Sequence, residues 1–277
     1  ASCLEYQLEP EIYSWELLQS LHQYTTEQQV SMPVHLKIDT GMHRLGFTAN
    51  DMAELGKALQ IIPTLEVKTV FSHLAAADER TQDTFSHEQA DRFVRQADII
   101  SKALPQKPMR HLLNSAGIIR FSQYQFEMVR LGVALYGVDP TAVLGARLRN
   151  VSSLKTTISQ IHALEPGETV GYGRMGRVEK LMHVATIAIG YADGFSRIFS
   201  NGWGKVWVNG QRAPVLGNVC MDMTMIDVTG IACQAGDEVE VFGEHISLAE
   251  MATWAETIPY ELLTNIRERV KRVFFAG

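Results

Sequence analysis

The sequence predicts an α/β fold, in which a partial (β/α)8 TIM-type barrel over residues 1–149 precedes a mostly β C-terminal domain over residues 150–277. Strand-like and helical segments alternate in the first half, which is typical of a parallel sheet with crossover helices. The second half carries hairpin signals and little helix, and the change falls near residues 147–153.

The clearest helix of the first half spans residues 86–104, where Ser86 and Gln89 fit a capping box. Its apolar stripe consists of Ala90, Phe93, Ala97 and Ile100. Asn50 is predicted to cap a second helix over residues 51–59. Strands are predicted at residues 11–13, 34–39, 69–74, 111–113 and 128–131.

In the second half, the dipeptide Asn209-Gly210 is a strong hairpin signal between strands at residues 205–208 and 212–216. Further strands are predicted at residues 224–228 and 238–242. Ser247 and Glu250 form a capping box for a short helix that reaches about residue 256.

The size of the α/β part predicts that the barrel lacks its first strands. A complete (β/α)8 barrel needs ~250 residues. Only about 150 residues are available here. We therefore expect an open part of a barrel, with unpaired strand edges that favour association.

Composition excludes several classes of function. The net charge of -6 argues against a basic surface of the kind that binds nucleic acid or an anionic membrane. No apolar run is long enough to span a bilayer. The three cysteines have no metal-ligand spacing and leave one thiol unpaired in any disulfide scheme, which predicts a reducing, cytoplasmic location without a bound metal.

One segment suggests a site for anions. Residues 34–39 alternate as a strand that carries Lys37 and Asp39 on one face, and Arg44 follows in the next loop. Such residues at the end of a strand are typical of the mouth of a barrel or parallel sheet. The alternative is that Lys37 simply pairs with Asp39 or extends to solvent.

This segment, HLKIDTGMHRLGF, resembles one of the alanine racemases, which use pyridoxal 5'-phosphate (PLP), and further matches to that family follow in order along nearly the whole chain. They are SHLAAAD at 72–78, NS at 114–115, VRLGVALYG at 129–137, VGYG at 170–173, IAIGYADG at 187–194, GNVCMD at 217–222 and IPYELL at 258–263. The resemblance implies the isomerase reaction between L- and D-alanine, which supplies peptidoglycan synthesis.

The resemblance also implies that a segment is missing. Alanine racemases begin with a strand that ends in the PLP-binding lysine, in a segment resembling VKANAYGHG, and the sequence contains no such segment. We therefore expect this chain alone to be inactive. Residues 39–47, 205–214 and 269–275 further resemble the racemase half of fused enzymes that join a UDP-N-acetylmuramoyl-tripeptide D-alanyl-D-alanine ligase to alanine racemase.

Tyr172 is the candidate acid/base. It lies between Gly171 and Gly173, and the resemblance implies that it acts on the L-enantiomer from the partner subunit of a homodimer. A phenol is a poor base at neutral pH unless neighbours lower its pKa, and positive charge on His73 or Arg130 is expected to do so. The alternative is a loop tyrosine that packs an interface.

The resemblance implies that Arg130 faces the pyridine nitrogen of PLP; the alternative is an arginine paired with Glu127 at the surface. The matches to the family's PLP contacts, including those to the phosphate, are Asn114, Ser115, Gly132, Val133 and Tyr260. Ser115 has a helix N-cap as its alternative role. Tyr260 favours alanine over serine, because serine racemases are expected to carry a smaller residue there.

Arg44 and Met221 match substrate-binding positions, although a methionine in a strand is more often part of the core. Lys37 matches a lysine that carries a carbamate in many relatives. The other matches line the site or its entrance, namely His73, Asp78, Tyr191 and Arg197. Two other functions stay open, a racemase of another amino acid such as serine and a non-catalytic interaction module.

Overall fold

The structure is a computed structural model that describes residues 2–144 and 147–275. It divides into two compact units, an α/β unit of Ala1–Ala134 with Asp139–Arg147 and a β unit of Leu135–Val138 with Leu148–Gly277. Both predicted architectures are confirmed, because the first unit holds a parallel sheet with helices and the second is mostly β.

The α/β unit is built on a four-stranded parallel sheet whose strands pair in chain order, as they do in a barrel. Its strands are β1 (Glu11–Ile12), β2 (Met32–Lys37), β3 (Leu65–Phe71) and β4 (Met109–His111). Its helices are α1 (Ser2–Glu5), α2 (Trp15–Glu27), α3 (Met52–Gln60), α4 (Asp83–Ala103) and α5 (Ser115–Arg120).

The core of this unit confirms the predicted apolar stripe of α4, since Ala90, Phe93, Ala97 and Ile100 are each 0% exposed. The stripe belongs to the same buried cluster as Val34 of β2. Burial of this kind stabilises by about 25 cal/mol per Å² of apolar surface, and it seats α4 on the sheet.

Two predicted helix starts are wrong. Helix α4 begins at Asp83, because a 3-10 turn at Arg80–Gln82 already starts the winding, and Ser86 is therefore buried inside the helix. The cap before α3 is Thr48 rather than Asn50, because Thr48 and Asp51 form the capping box of a 3-10 turn there.

The strand predictions are correct in number for β1 to β4, but three of the strands are displaced, and β2 begins at Met32, two residues before its predicted start. Pairing with β2 starts β3 at Leu65, four residues before the predicted start, and β4 likewise begins at Met109. The predicted strand at 128–131 is wrong. Only Met128 forms a β-bridge, to His111, and the backbone amide of Arg130 donates to the Leu113 carbonyl.

The β unit contains a six-stranded sheet in the order β10-β9-β12-β5-β8-β11 and a two-stranded sheet, β6-β7. Its strands are β5 (Leu154–Leu164), β6 (Thr169–Val170), β7 (Gly176–Arg177), β8 (Met182–Ile187), β9 (Lys205–Val208), β10 (Gln211–Pro214), β11 (Thr224–Asp227) and β12 (Glu238–Phe242). Its helices are α6 (Leu248–Trp254) and α7 (Pro259–Thr264).

The hairpin at Asn209-Gly210 is confirmed, since β9 and β10 pair in antiparallel register on either side of it. Ser247 caps α6 as predicted by accepting the Glu250 amide, whereas the carboxylate of Glu250 instead binds Arg212. Within the described part of the chain, we find no helix with the length and apolar content that crossing a bilayer requires.

Candidate active site

Four polar side chains gather at the carboxyl ends of the parallel strands. Lys37 ends β2, His111 ends β4, His73 lies two residues beyond β3, and Arg130 follows the bridge at Met128. Carboxyl ends of parallel strands meet at one edge of a sheet, where α/β proteins place their ligand sites. We call these four residues the strand-end cluster.

Arg130 is held inside this cluster by several acceptors. Its terminal nitrogens donate to the Ser72 carbonyl at 2.6 Å and to the Leu112 and His111 carbonyls at 3.3 Å. They also contact Nδ1 of His73, at 3.2 Å, and Nδ1 of His111. The alternative of a surface pair with Glu127 is wrong, because Glu127 binds Arg110 instead, and Arg130 is therefore a fixed inward cation.

The two imidazoles of the cluster must be neutral acceptors at Nδ1, because a guanidinium has only donors. The proton of His111 then lies on Nε2, which donates to Thr69 Oγ1 at 2.9 Å. Thr69 in turn contacts Nδ1 of His35 at 2.8 Å, and Nε2 of His35 lies 2.9 Å from Glu9. This chain of contacts fixes the ring of His111 and, through it, the guanidinium of Arg130.

Burial and nearby cations keep both imidazoles uncharged. Desolvation, followed by the charges of Arg130, Arg44 and Lys37, lowers the pKa of His73 to about 4. Desolvation and Arg130 lower the pKa of His111 to about 3. The expected positive charge on His73 is therefore wrong at neutral pH. Burial also lowers the pKa of Arg130, to about 10, which still leaves it charged.

The neutral His111 predicts a loss of stability in mild acid. Its pKa is about 3 in the folded chain and 6.5 in an ordinary environment. At a pH between these two values, the unfolded chain therefore binds a proton at this residue that the folded chain does not. We expect the free energy of unfolding of the α/β unit to fall by about 2 kcal/mol from this residue between pH 7 and pH 5. Hydrogen exchange of the β3 and β4 amides measures it.

His111→Gln should remove about 2 kcal/mol from this pH dependence, because the amide does not titrate. His162→Gln changes an exposed imidazole on β5 and serves as the control. A pH dependence that is the same in His111→Gln as in the unaltered chain would contradict the prediction.

A hydroxyl lies beside the cluster at the start of α5. Ser115 is 1% exposed, and its Oγ accepts the amides of Gly132 at 2.9 Å and Ala134 at 3.4 Å. The alternative role of Ser115 as a helix cap is wrong, because Asn114 caps α5 by accepting the Gly117 amide at 2.9 Å. The serine keeps its hydroxyl proton for another acceptor. Val133 follows Gly132 and is buried.

Lys37 does not pair with Asp39. Its Nζ lies 3.3 Å from Oε1 of Glu11 and 4.8 Å from the ring centroid of Phe71, whereas the Asp39 carboxylate accepts the Gly41 and His43 amides. The sequence analysis did not identify Glu11. Its position was a signal, because it begins the predicted strand that directly precedes the strand of Lys37 along the chain. Arg44 and Asp78 are exposed in loops of this unit.

In the β unit, the second predicted group begins with Tyr172. It opens a 3-10 turn, Tyr172–Arg174, with its side chain 72% exposed. Gly171 and Gly173 have φ angles of 75° and 69°. A residue with a side chain would adopt this backbone conformation only under strain. The Tyr172 carbonyl accepts Nδ2 of Asn218 at 3.0 Å, so the turn is tied to the 217–222 segment.

The same segment binds the backbone at 187–194. The Tyr191 amide donates to the Cys220 carbonyl at 3.0 Å, and the Ala192 amide donates to the Met221 carbonyl at 2.8 Å. Met221 is 56% exposed, so its alternative as a core methionine is wrong. The β unit therefore places Tyr172, Tyr191 and Met221 on three segments, of which the 217–222 segment is hydrogen-bonded to the other two.

Two further predicted residues of the β unit lie on short helical segments. Arg197 begins a 3-10 turn, Arg197–Phe199, and its charge acts on the Cys220 thiol, whose pKa is raised by burial. Tyr260 lies in the first turn of α7, where its side chain is 42% exposed and its carbonyl accepts the Thr264 hydroxyl at 2.8 Å.

Family models match both halves of the chain. The model described as "Alanine racemase, N-terminal domain" matches residues 1–140, and "Alanine racemase, C-terminal domain" matches residues 151–274. The chain belongs to the alanine racemase family. The racemase of Halothermothrix orenii is 36% identical over 277 residues, which cover 98% of this chain and 73% of that relative.

Solved structures of alanine racemases also resemble the chain. The Bartonella henselae enzyme with covalently bound pyridoxal phosphate has a TM-score of 0.89 at 32% identity, covering 99% of this chain and 75% of that one. The Bacillus anthracis enzyme with bound L-Ala-P has a TM-score of 0.86 at 31% identity, and the match covers 96% of this chain and 70% of that one. These matches confirm the resemblance to the alanine racemases that the sequence motifs indicate. The chain is therefore a member of a family of isomerases.

Proposed function

We propose that this racemase interconverts L-alanine and D-alanine with PLP, and that the product D-alanine serves peptidoglycan synthesis. The observation that carries the proposal is Arg130, a partly buried guanidinium that contacts two neutral imidazoles at the strand ends. Sequence relatives named alanine racemase and the PLP-bound Bartonella henselae structure support this assignment.

The donors at the strand ends suit PLP. Arg130 can only donate, which matches the lone pair of a pyridine nitrogen and keeps that nitrogen unprotonated. Ser115 accepts the Gly132 amide and keeps its own hydroxyl proton, a donor that suits a phosphate oxygen. We assign the other phosphate contacts to Val133 and Tyr260, with Asn114 positioning the start of α5. When bound, PLP withdraws electron density from the α-carbon and so makes its proton acidic.

Tyr172 is the acid/base on one face of the α-carbon in this proposal, and we assign it to the PLP site of the partner subunit in a homodimer. Its exposure on a turn that two glycines shape supports the assignment. Arg44 binds the carboxylate of the amino acid with two parallel hydrogen bonds, and Met221 forms a wall of the pocket. Asp78, Tyr191 and Arg197 line the entrance.

We take alanine as the substrate, because serine racemases are expected to carry a smaller residue where Tyr260 stands. The comparisons give no support to a racemase of another amino acid or to a non-catalytic module. The three free thiols support a cytoplasmic location. Fusion to a ligase stays a prediction, which the upstream reading frame tests.

We further propose that these 277 residues do not racemise alanine alone, because they contain no segment that resembles the family's PLP-lysine segment. A chimera in which the lysine segment of the Halothermothrix orenii relative precedes this chain should form D-alanine from L-alanine and PLP, whereas the chain alone should form none above background. D-Amino acid oxidase, coupled to peroxide detection, measures the product.

The matched control is the same chimera with that lysine replaced by alanine, which should be inactive. Two results would overturn the proposal: turnover by the chain alone, or an inactive chimera that still folds and still binds PLP.

A further inference from the structure

Helix α4 carries a buried side-chain amide, that of Gln89, whose hydrogen bonds reach the loops at the carboxyl ends of β2 and β3. We propose that Gln89 is a positioning residue of the racemase site, which fixes the backbone at residues 72–75 and, through it, the guanidinium of Arg130. The inference rests on the proposed function, because it gives Gln89 a task in that same site.

The surroundings of Gln89 use both ends of its amide. Its Oε1 accepts the Ala75 amide at 2.9 Å, and its Nε2 donates to the His73 carbonyl at 3.2 Å and to Thr40 Oγ1 at 3.4 Å. The side chain is 0% exposed, so water does not compete for these partners. Because an amide N–H only donates and a carbonyl only accepts, the side chain of Gln89 has a single orientation here.

These hydrogen bonds tie the loop after β2 to the loop after β3. Thr40 lies in the first loop, and its Oγ1 is 2.8 Å from Oγ of Ser72 in the second, with both residues buried. Arg92, three residues after Gln89 on α4, donates to the Thr40 carbonyl at 3.2 Å. Helix α4 therefore holds the first loop at Thr40 and the second loop through Gln89.

The segment at residues 72–75 presents two acceptors to Arg130. Nη2 of Arg130 donates to the Ser72 carbonyl at 2.6 Å and lies 3.2 Å from Nδ1 of His73. Gln89 binds the same backbone at the His73 carbonyl and the Ala75 amide. The donors of a guanidinium form a rigid planar fork, so a shift of its acceptors turns the whole group. Gln89 thus acts on Arg130 through the backbone that presents these acceptors.

The same helix contains a buried glutamine that lacks this task. Gln96 lies two turns after Gln89 and is buried as well, but its Oε1 has no hydrogen-bond partner in the described part of the chain. Burial on α4 therefore does not by itself direct an amide to the strand-end loops. At Gln89 the loops supply partners that fit both ends of the amide, and this arrangement points to positioning rather than to packing alone.

The test compares Gln89→Met with the matched control Gln96→Met in the 277-residue chain, and it needs no turnover. The imidazole of His73 is titrated by NMR, with its signals assigned through His73→Gln. In the unaltered chain, desolvation, followed by the charge of Arg130 and of more distant cations, lowers the pKa of His73 to about 4.

We expect Gln89→Met to raise the pKa of His73 by at least about one unit, which is a tenfold change in proton affinity, because a released segment admits water and moves away from Arg130. Gln96→Met should leave this pKa unchanged, since it removes no hydrogen bond to the loops. An unchanged pKa in a folded Gln89→Met chain, or an equal rise in Gln96→Met, would overturn the proposal.

If Gln89→Met does not fold, hydrogen exchange of the unaltered chain decides. Ala75 is exposed in its loop, yet its amide should exchange at least about tenfold more slowly than that of Ala76, because only the Ala75 amide has an acceptor among the described residues. Equal exchange rates of the two amides would show that Gln89 does not hold this segment, and the proposal would fail.

The proposed function and the role of Gln89 can fail separately. An inactive chimera counts against the proposed function, whereas the titration of His73 and the exchange of Ala75 still test Gln89. In an active chimera, Gln89→Met should lower the rate of racemisation by at least about tenfold, because a small displacement within a site is costly. An unchanged rate would contradict the positioning role.

Discussion

Tyr172→Phe in the chimeric enzyme is expected to lower the rate of racemisation by about 100- to 10,000-fold, which is the usual contribution of a positioned acid or base. The change removes one oxygen from a side chain that is 72% exposed, so the β unit should keep its fold and its stability. The conversion of L-alanine to D-alanine, followed by circular dichroism at saturating PLP, measures the rate.

The face on which the phenol acts gives a sharper readout. If Tyr172 handles the proton of L-alanine, Tyr172→Phe should stop exchange of that α-proton with deuterated solvent. Exchange from D-alanine, which uses the opposite face, should be less affected. Tyr6→Phe, at another exposed tyrosine (67%), is the control and should change neither. Equal loss of both exchanges would refute the assignment of Tyr172 to one face.

Gly190→Ala is expected to destabilise the β unit by about 3 kcal/mol, because overpacking of a filled site forces the backbone to move. A Cβ at Gly190 would lie 2.3 Å from the Cys220 carbonyl oxygen and 2.5 Å from the Met221 carbonyl carbon. These are backbone atoms, so no side-chain rotation relieves the clash. Urea unfolding, followed by tryptophan fluorescence, measures the loss.

The same clash moves the segment that carries Met221 and Asn218, and Asn218 holds the Tyr172 carbonyl. A displacement of about 1 Å in a site can cost 100-fold in rate, so a folded Gly190→Ala chimera should be slow as well. Gly230→Ala is the control, because its Cβ meets nothing within 4 Å, although its φ of 82° carries some strain. Equal destabilisation by the two changes would contradict the steric explanation.

Local signals predicted much of the fold. Asn209-Gly210 specified its hairpin because few residue pairs adopt the backbone that a two-residue loop requires. The apolar stripe of α4 was readable because burial on one face of a helix imposes its period on the sequence. Ser247 likewise capped α6 through a contact three residues away.

The same kind of signal failed at Ser86 and Gln89, and the reason is tertiary. Both residues are buried within α4. Oε1 of Gln89 accepts the Ala75 amide at 2.9 Å, and Nε2 of Gln89 donates to the His73 carbonyl at 3.2 Å. A hydroxyl and an amide three residues apart give the same sequence pattern whether the two side chains cap a helix or lie buried within it. Only the position of the loop after β3 decides between them.

For the candidate site, the sequence alone was sufficient to identify the family and the residues that match it, because those residues lie in contiguous motifs. Tertiary structure decided their state: which partners Arg130 has, that His73 and His111 are neutral, and that Lys37 faces Glu11 rather than Asp39. Charge state depends on burial and on groups from other strands, and residues distant along the chain are brought together only when the parallel strands pair.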